Sequence, residues 1–323
     1  MDPSLIIFLI LTSLVIVITL IILFIISLDS DLTLYFAEKF GKSISGLKGK
    51  VVWITGASSG IGESLTYLLA KNGCKLIISA TTKDRLDNVR LNCISEGVPE
   101  KDILALVFDM KDFKVHSEMV EKAIKTFGRI DVLVNNAGRS QRASFNEIDV
   151  SVDEELYKIN TLGPVNLTRL VLKHWEQTDS AGAIAVVTSV AGKLGAPFSA
   201  SYTASKHALH GYFECLRVES FRKNIKITMC CPGPVESRVL ENAYTGQIGE
   251  TVGRKHPEEM KRMSSDRCAK LIAVSIVNEL DEAWMSIQPP LLFLYFNQYA
   301  PSVFKFISSI FFDPKVAHKI RDG

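Results

Sequence analysis

From residue 50 onward, short apolar runs alternate with helix-like segments about every 25 residues, and this alternation is what most limits the folds open to the chain. A strand joined to the next through a helix pairs with it in parallel, and a parallel sheet must be covered by helices on both faces. Strands are expected at 51–55 (VVWIT), 75–80 (KLIISA), 103–108 (ILALVF), 131–136 (DVLVNN), 183–189 (AIAVVTS), 225–230 (IKITMC) and 283–287 (AWMSI). The fold class is therefore α/β, a doubly wound parallel sheet of about seven strands. No repeat, low-complexity tract or Pro/Gly-rich linker divides 50–290, which is expected to form one domain.

The front of the chain follows another rule. Ser4 to Leu28 contains no charged residue, and as a helix it would reach about 37 Å, beyond the ~30 Å hydrocarbon layer. A cleaved signal peptide needs a basic leader and a shorter apolar core, whereas MDPS offers no Lys or Arg, so residues 1–28 are expected to be a retained transmembrane anchor. Lys39, Lys42, Lys48 and Lys50 follow the span, which by the positive-inside rule assigns the globular part to the cytosolic side. Residues 29–49 read as a polar linker. The tail, 291–323, is apolar and aromatic but broken by Asn297, Gln298, Pro301 and Lys305; with Lys315, His318, Lys319 and Arg321 behind it, it suits a membrane interface. A packing segment or a dimer contact is the alternative, which leaves room for a homodimer.

Composition narrows the partners. With 37 basic and 35 acidic residues the net charge is +2, giving no steering toward nucleic acid. The six cysteines have neither metal-ligand spacing nor a C-x-x-C pair, so no metal is expected and the thiols read as reduced and mostly buried.

In VVWITGASSGIGESL, Gly56, Gly60 and Gly62 fall where the first strand turns into the first helix. Glycine supplies the positive φ of such a turn and lets backbone amides meet a pyrophosphate at the helix N-terminus, the device of a Rossmann-type dinucleotide site. The second strand ends at Ala80, with no carboxylate for a ribose 2′-hydroxyl before Asp84, which favours a 2′-phosphate and hence NADP(H), with NAD(H) still open. Asp109, after the third strand, is positioned either to accept from an adenine amine or to cap a helix.

Tyr202 and Lys206 share one helix face, and the ammonium would favour the tyrosinate. Ser189 and the NNAG of 135–138 end strands at the same sheet edge. Together T-G-x-x-x-G-x-G at 55–62, N-N-A-G at 135–138, Ser189, Y-x-x-x-K at 202–206 and Pro232-Gly233 resemble the short-chain dehydrogenase/reductase family over residues 50 to about 285. DLTLYFAEKF, GRIDVLVNNAGRSQR, YTASKHALHGYF and QPPLLFLYFNQYAP extend the likeness to a membrane-bound branch of that family in the endoplasmic reticulum.

The resemblance implies carbonyl–hydroxyl interconversion on lipophilic substrates such as steroid, retinoid or xenobiotic ketones and aldehydes. Catalytic roles would fall to Tyr202 as proton donor, Ser189 on the same carbonyl oxygen, Lys206 on the tyrosine and the nicotinamide ribose, and Asn160 holding a water that leads to Lys206. Thr55, Gly56, Ser58, Ser59, Gly60, Ile61, Gly62 and Asn136 would hold the dinucleotide, with Asp109 at the adenine. Pro232, Val235 and Ser237 would clamp the nicotinamide amide. Thr81 and Thr82 stand where NADP-using relatives often carry arginine, leaving Lys83, Ser58 and Ser59 for the phosphate. His207 and His210 read as helix or pocket residues, and 238–265 as a lid. Two other readings stay open: a reductase of 3-oxoacyl or sphingoid intermediates, and an inactive membrane scaffold of the same fold.

Overall fold

The computed structural model describes residues 2–254 and 261–311. Its strands are β1 Val51–Thr55, β2 Lys75–Ala80, β3 Ile103–Val107, β4 Val132–Asn135, β5 Ala183–Val187, β6 Lys226–Pro232 and β7 Glu282–Met285. They form one sheet in the order β3-β2-β1-β4-β5-β6-β7 with every pairing parallel, so all seven expected strands are present with ends within two residues of expectation. The helices are α1 Pro3–Ser27, α2 Leu32–Phe40, α3 Gly60–Lys71, α4 Lys83–Ser95, α5 His116–Phe127, α6 Val150–Tyr157, α7 Gly163–Gln177, α8 Ala200–Glu219, α9 Ser265–Val277, α10 Pro290–Tyr299 and α11 Pro301–Phe311.

Side chains alternate across each strand, and both faces are dry. Val52 and Ile54 of β1 join Leu65 and Leu69 of α3 and Leu271 and Ile272 of α9 on one side. Val51 and Trp53 join Val120 of α5, Val171 of α7 and Phe213 of α8 on the other. That two-sided burial is why the strands appear in the sequence as unbroken apolar runs. The buried indoles are satisfied, Trp53 donating to Ser79 Oγ (3.1 Å) and Trp175 to the Ile130 carbonyl (2.8 Å). All six cysteines are free, and only Cys215 is exposed.

Helix α1 has no buried residue and is, among the described residues, the one helix long and apolar enough to cross a membrane. Its Thr12 and Thr19 hydroxyls fold back onto carbonyls four residues earlier (2.8 Å each), so both are satisfied within the helix itself. The segment read as a linker is structured. The Asp31 carboxylate caps α2 at Leu34 N (2.9 Å), and Ser30 bridges Met285 antiparallel at the outer edge of β7. Arg267 of α9 pairs with Asp29 (2.8 Å) and with Glu38. The acids that look like solvated linker residues are thus partners of a helix more than 200 positions away. In the tail, Leu291 and Leu294 are buried with Leu28 and Trp284, while Phe296, Tyr299, Val303 and Phe306 remain exposed. Lys315, His318, Lys319 and Arg321 lie outside the described residues.

Arg267 holds the Glu38 carboxyl down at about 2, against its ordinary 4.5. Arg267→Ala is expected to cost about 1–3 kcal/mol of stability at neutral pH, measured by urea unfolding of the detergent-solubilised chain. Because Glu38 is depressed in the folded state, the difference from wild type is full above about pH 4.5 and closes as pH falls toward about 2.

Candidate active site

At the carboxyl edge of β1 the chain turns through Gly56 (φ +67°) and Gly60 (φ +57°) into α3. Gly62 meets a different need: a Cβ there would lie 2.3 Å from the Gly56 carbonyl oxygen and 2.6 Å from Asn136 Nδ2, so α3 can approach the strand only without a side chain. Ser59 makes no side-chain cap on α3, which leaves first-turn amides for an anion. A cleft of about 450 Å³ opens there, lined by Gly56, Ser58, Ser59, Gly60 and Ile61. These features fit a dinucleotide pyrophosphate.

Thr55 and Asn136 brace the turn from beneath. Thr55 Oγ1 accepts from the amides of Asn136 and Ala137 (3.0 Å each), and Asn136 Nδ2 donates to the carbonyls of Thr55 (2.9 Å) and Gly56 (3.2 Å). Thr55 is fully buried, so its part is to hold the turn.

Beyond β5, the Ser189 hydroxyl donates to the Pro232 carbonyl (3.3 Å) and accepts from the Ala191 amide (3.1 Å), and it lies close enough to the Tyr202 phenol to lower its pKa. Helix α8 carries Lys206 one turn past Tyr202, its Nζ 5.8 Å from the phenol ring centre and donating to the Val187 carbonyl (2.9 Å). Asn160 lies in a widened turn, Lys158–Leu162, between α6 and α7. A Cβ on Gly138 would stand 3.3 Å from Asn160 Oδ1 and 3.4 Å from Lys206 Nζ, so amide and ammonium flank one point. Asn160 also bonds backbone, donating to the Arg139 carbonyl and accepting from its amide (2.8 Å each). Asn160, Ser189, Tyr202 and Lys206 therefore stand together at the sheet edge beside the glycine turn.

Their electrostatics differ from expectation in one respect. Burial pushes the Tyr202 phenol above its ordinary value; the Ser189 hydroxyl and then the Arg142 guanidinium pull it back. Lys206, expected to be the acidifying charge, is itself pulled down to about 8 by burial. Arg142 carried no sequence signal beyond its position four residues after Gly138.

On the nucleotide side, Thr81 and Thr82 line the cleft and Lys83 does not. The Lys83 ammonium pairs with Asp87 one turn along α4, and Arg85, missed in the sequence, lines the cleft instead. Asp109 lines it too, while accepting from the Lys111 amide (3.1 Å) as a turn residue would. Ser237 lines the wall beside Gly60, Pro232 reaches Ser189 through its carbonyl, and Val235 is buried in the core. The first part of the expected lid is docked: Tyr244 N donates to the Ser140 carbonyl (2.9 Å), and the Arg139 guanidinium stacks 3.7 Å from the Tyr244 ring. Residues 255–260 of that segment lie outside the described residues. His207 is exposed, and burial holds His210, 3.8 Å from Cys231 Sγ, down at about 4.

Residues 50–247 match the family described as short chain dehydrogenase. Dehydrogenase/reductase SDR family member 7 of Homo sapiens is 42% identical over 277 residues, 85% of this chain and 81% of that protein. A Drosophila melanogaster relative, dehydrogenase/reductase SDR family protein 7-like, is 33% identical over 84% of this chain and 82% of its own length. Among solved structures, a short chain dehydrogenase/reductase from Burkholderia phymatum in complex with NAD overlays with a TM-score of 0.69 at 19% identity, over 80% of this chain and 96% of that one. One of unknown function from Caenorhabditis elegans, with cofactor, overlays at 0.63 and 23% identity, over 73% and 91%. At these identities the overlays speak for the fold.

Gly62→Ala should force the Gly56 carbonyl and the Asn136 amide apart, lowering stability by about 1–3 kcal/mol. A thermal melt within error of wild type would show that the close approach is not needed.

Proposed function

Since the chain belongs to the short chain dehydrogenase family, a family of oxidoreductases, we propose that it interconverts carbonyl and hydroxyl groups on lipophilic substrates with NADP(H), from the cytosolic face of the endoplasmic reticulum membrane. The observation that carries this is the meeting of the Tyr202 phenol with Ser189 and Lys206 at the sheet edge that also bears the glycine turn. The bound dinucleotide would supply or accept a hydride. In reduction Tyr202 gives its proton to the substrate oxygen while Ser189 hydrogen-bonds that oxygen. Lys206, flanked by Asn160, passes a replacement proton inward. Gly56, Ser58, Ser59, Gly60 and Ile61 hold the pyrophosphate, Asp109 the adenine amine, and Pro232 to Ser237 the nicotinamide amide. Arg85 with Thr81 and Thr82 supports a 2′-phosphate, and no carboxylate ends β2 to favour NAD(H).

Residues 50–290 form the catalytic domain of this reading. The membrane assignment draws on α1 and on the exposed aromatics of α10 and α11 that follow Trp284 at the docked end of the anchor. A lipophilic substrate suits an enzyme held at a bilayer.

The test is turnover by the reconstituted full chain with NADPH and NADH against steroid and retinoid ketones or aldehydes, water-soluble ketones and a 3-oxoacyl thioester. NADPH-dependent reduction of the lipophilic carbonyls is expected, falling ~10²–10⁴-fold in Tyr202→Phe. Full activity in that variant would assign the acid elsewhere, thioester-only turnover would move the substrate class, and inactivity on the whole panel would favour a scaffold.

A further inference from the structure

An amide on the inward side of an apolar helix needs a partner, because a buried polar group left unpaired is costly. Helix α10 carries two stripes at intervals of three residues: Phe293, Phe296 and Tyr299 are exposed, whereas Leu291 and Leu294 are buried and the half-buried Asn297 continues their side. Asn297, which in the sequence only interrupts an apolar tail, donates through Nδ2 to the Lys193 carbonyl (2.9 Å). Lys193 closes the single turn Val190–Gly192 that follows Ser189. Val190 and Leu194, at the two ends of that turn, pack on the cluster that Leu291 and Leu294 form with Leu28 and Trp284. The Lys193 ammonium meets Glu282 of β7 (3.0 Å), so this residue is held by backbone and side chain alike.

The turn in its own right sets the serine. Gly192 N donates to the Ser189 carbonyl (2.8 Å), Lys193 N and Leu194 N to the Val190 carbonyl (3.0 and 3.1 Å), and Ala191 N to the Ser189 hydroxyl itself (3.1 Å). A shift of the turn therefore moves the serine oxygen. There is little slack on the side of α8, where a Cβ on Gly192 would stand 3.0 Å from the Lys206 carbonyl oxygen and 3.2 Å from the His210 ring. Helix α10 is fixed from behind as well: Gln288, just ahead of it, donates to the Ile25 carbonyl near the end of α1 (3.2 Å), and the Tyr295 hydroxyl accepts from Leu32 N at the start of α2 (3.1 Å).

We propose that Asn297 is a positioning residue for Ser189: with α10 held against the end of α1 and the start of α2, its amide fixes the turn that aims the serine hydroxyl. This rests on Ser189 hydrogen-bonding the substrate oxygen in the proposed reaction.

The test joins hydrogen exchange of the detergent-solubilised full chain to its kinetics. Asn297→Ala should speed exchange of the Gly192, Lys193 and Leu194 amides about 3–10-fold while β1 and α3 exchange as in wild type. It should lower kcat for carbonyl reduction by a similar factor, with KM and the dinucleotide Kd within about twofold. Asn297→Gln, which keeps the amide donor, should recover most of both. In single-turnover reduction by Ser189→Ala, adding Asn297→Ala should slow the residual reaction no further, since the group being positioned is already gone. Unmoved exchange at 192–194 overturns the proposal, as does faster exchange spread equally over β1 and α3, which would mean general loosening. A kcat loss that recurs in full on the Ser189→Ala background overturns it too, and so does a loss confined to KM, which would assign Asn297 to substrate binding. Faster exchange at 192–194 in a chain that turns over no substrate would uphold the tie between α10 and the turn and remove only the reaction it serves.

Discussion

The side-chain amide of Asn136 holds together the seam on which the site is built. The sheet winds outward from β1 to β3 and then returns to place β4 on the other side of β1, so the connections leaving β1 and β4 diverge and a crevice opens between them. Where the turn leaves the sheet, Asn136 Nδ2 donates to the carbonyls of both Thr55 and Gly56. Thr55 returns the bond through its hydroxyl to the amides of Asn136 and Ala137. With the two strand ends locked, α3 can press against the turn at Gly62 and keep its first amides open to the cleft.

The long apolar N-terminal helix is tied to the same framework. Where α1 ends, Leu28 enters a small apolar cluster with Cys231 and Trp284, and the chain then runs antiparallel beside Met285. Cys231 neighbours Pro232, whose carbonyl receives the Ser189 hydroxyl. The end of α1 thus abuts the strands that back the site, and Arg267 pairs with Asp29 and Glu38 hold the segment that follows it.

How much of this was legible in the sequence depended on the range of the interaction that decides it. The strands were, because burial on both faces writes itself into consecutive residues. Tyr202 and Lys206 were, because one helical turn fixes their spacing. The 29–49 segment was not, since its order comes from Arg267 and Asn278 far along the chain. Lys83 and Arg85 show the same limit on a smaller scale: which cation faces the cleft was settled by Asp87, which captures the lysine. Arg142 depends on Ser199, 57 positions away, and on a loop whose path no local propensity predicts.

The electrostatics around Tyr202 carry a directional consequence. Burial drives the phenol and the Lys206 amine each toward its neutral form, since separated charge in a desolvated pocket is unfavourable. Were Tyr202 the proton donor of the proposed reaction, burial would favour the protonated phenol that carbonyl reduction consumes over the phenolate that alcohol oxidation needs. The Ser189 hydroxyl and then the Arg142 guanidinium work against burial at this phenol, so the balance of the three would set how readily one site could run in both directions.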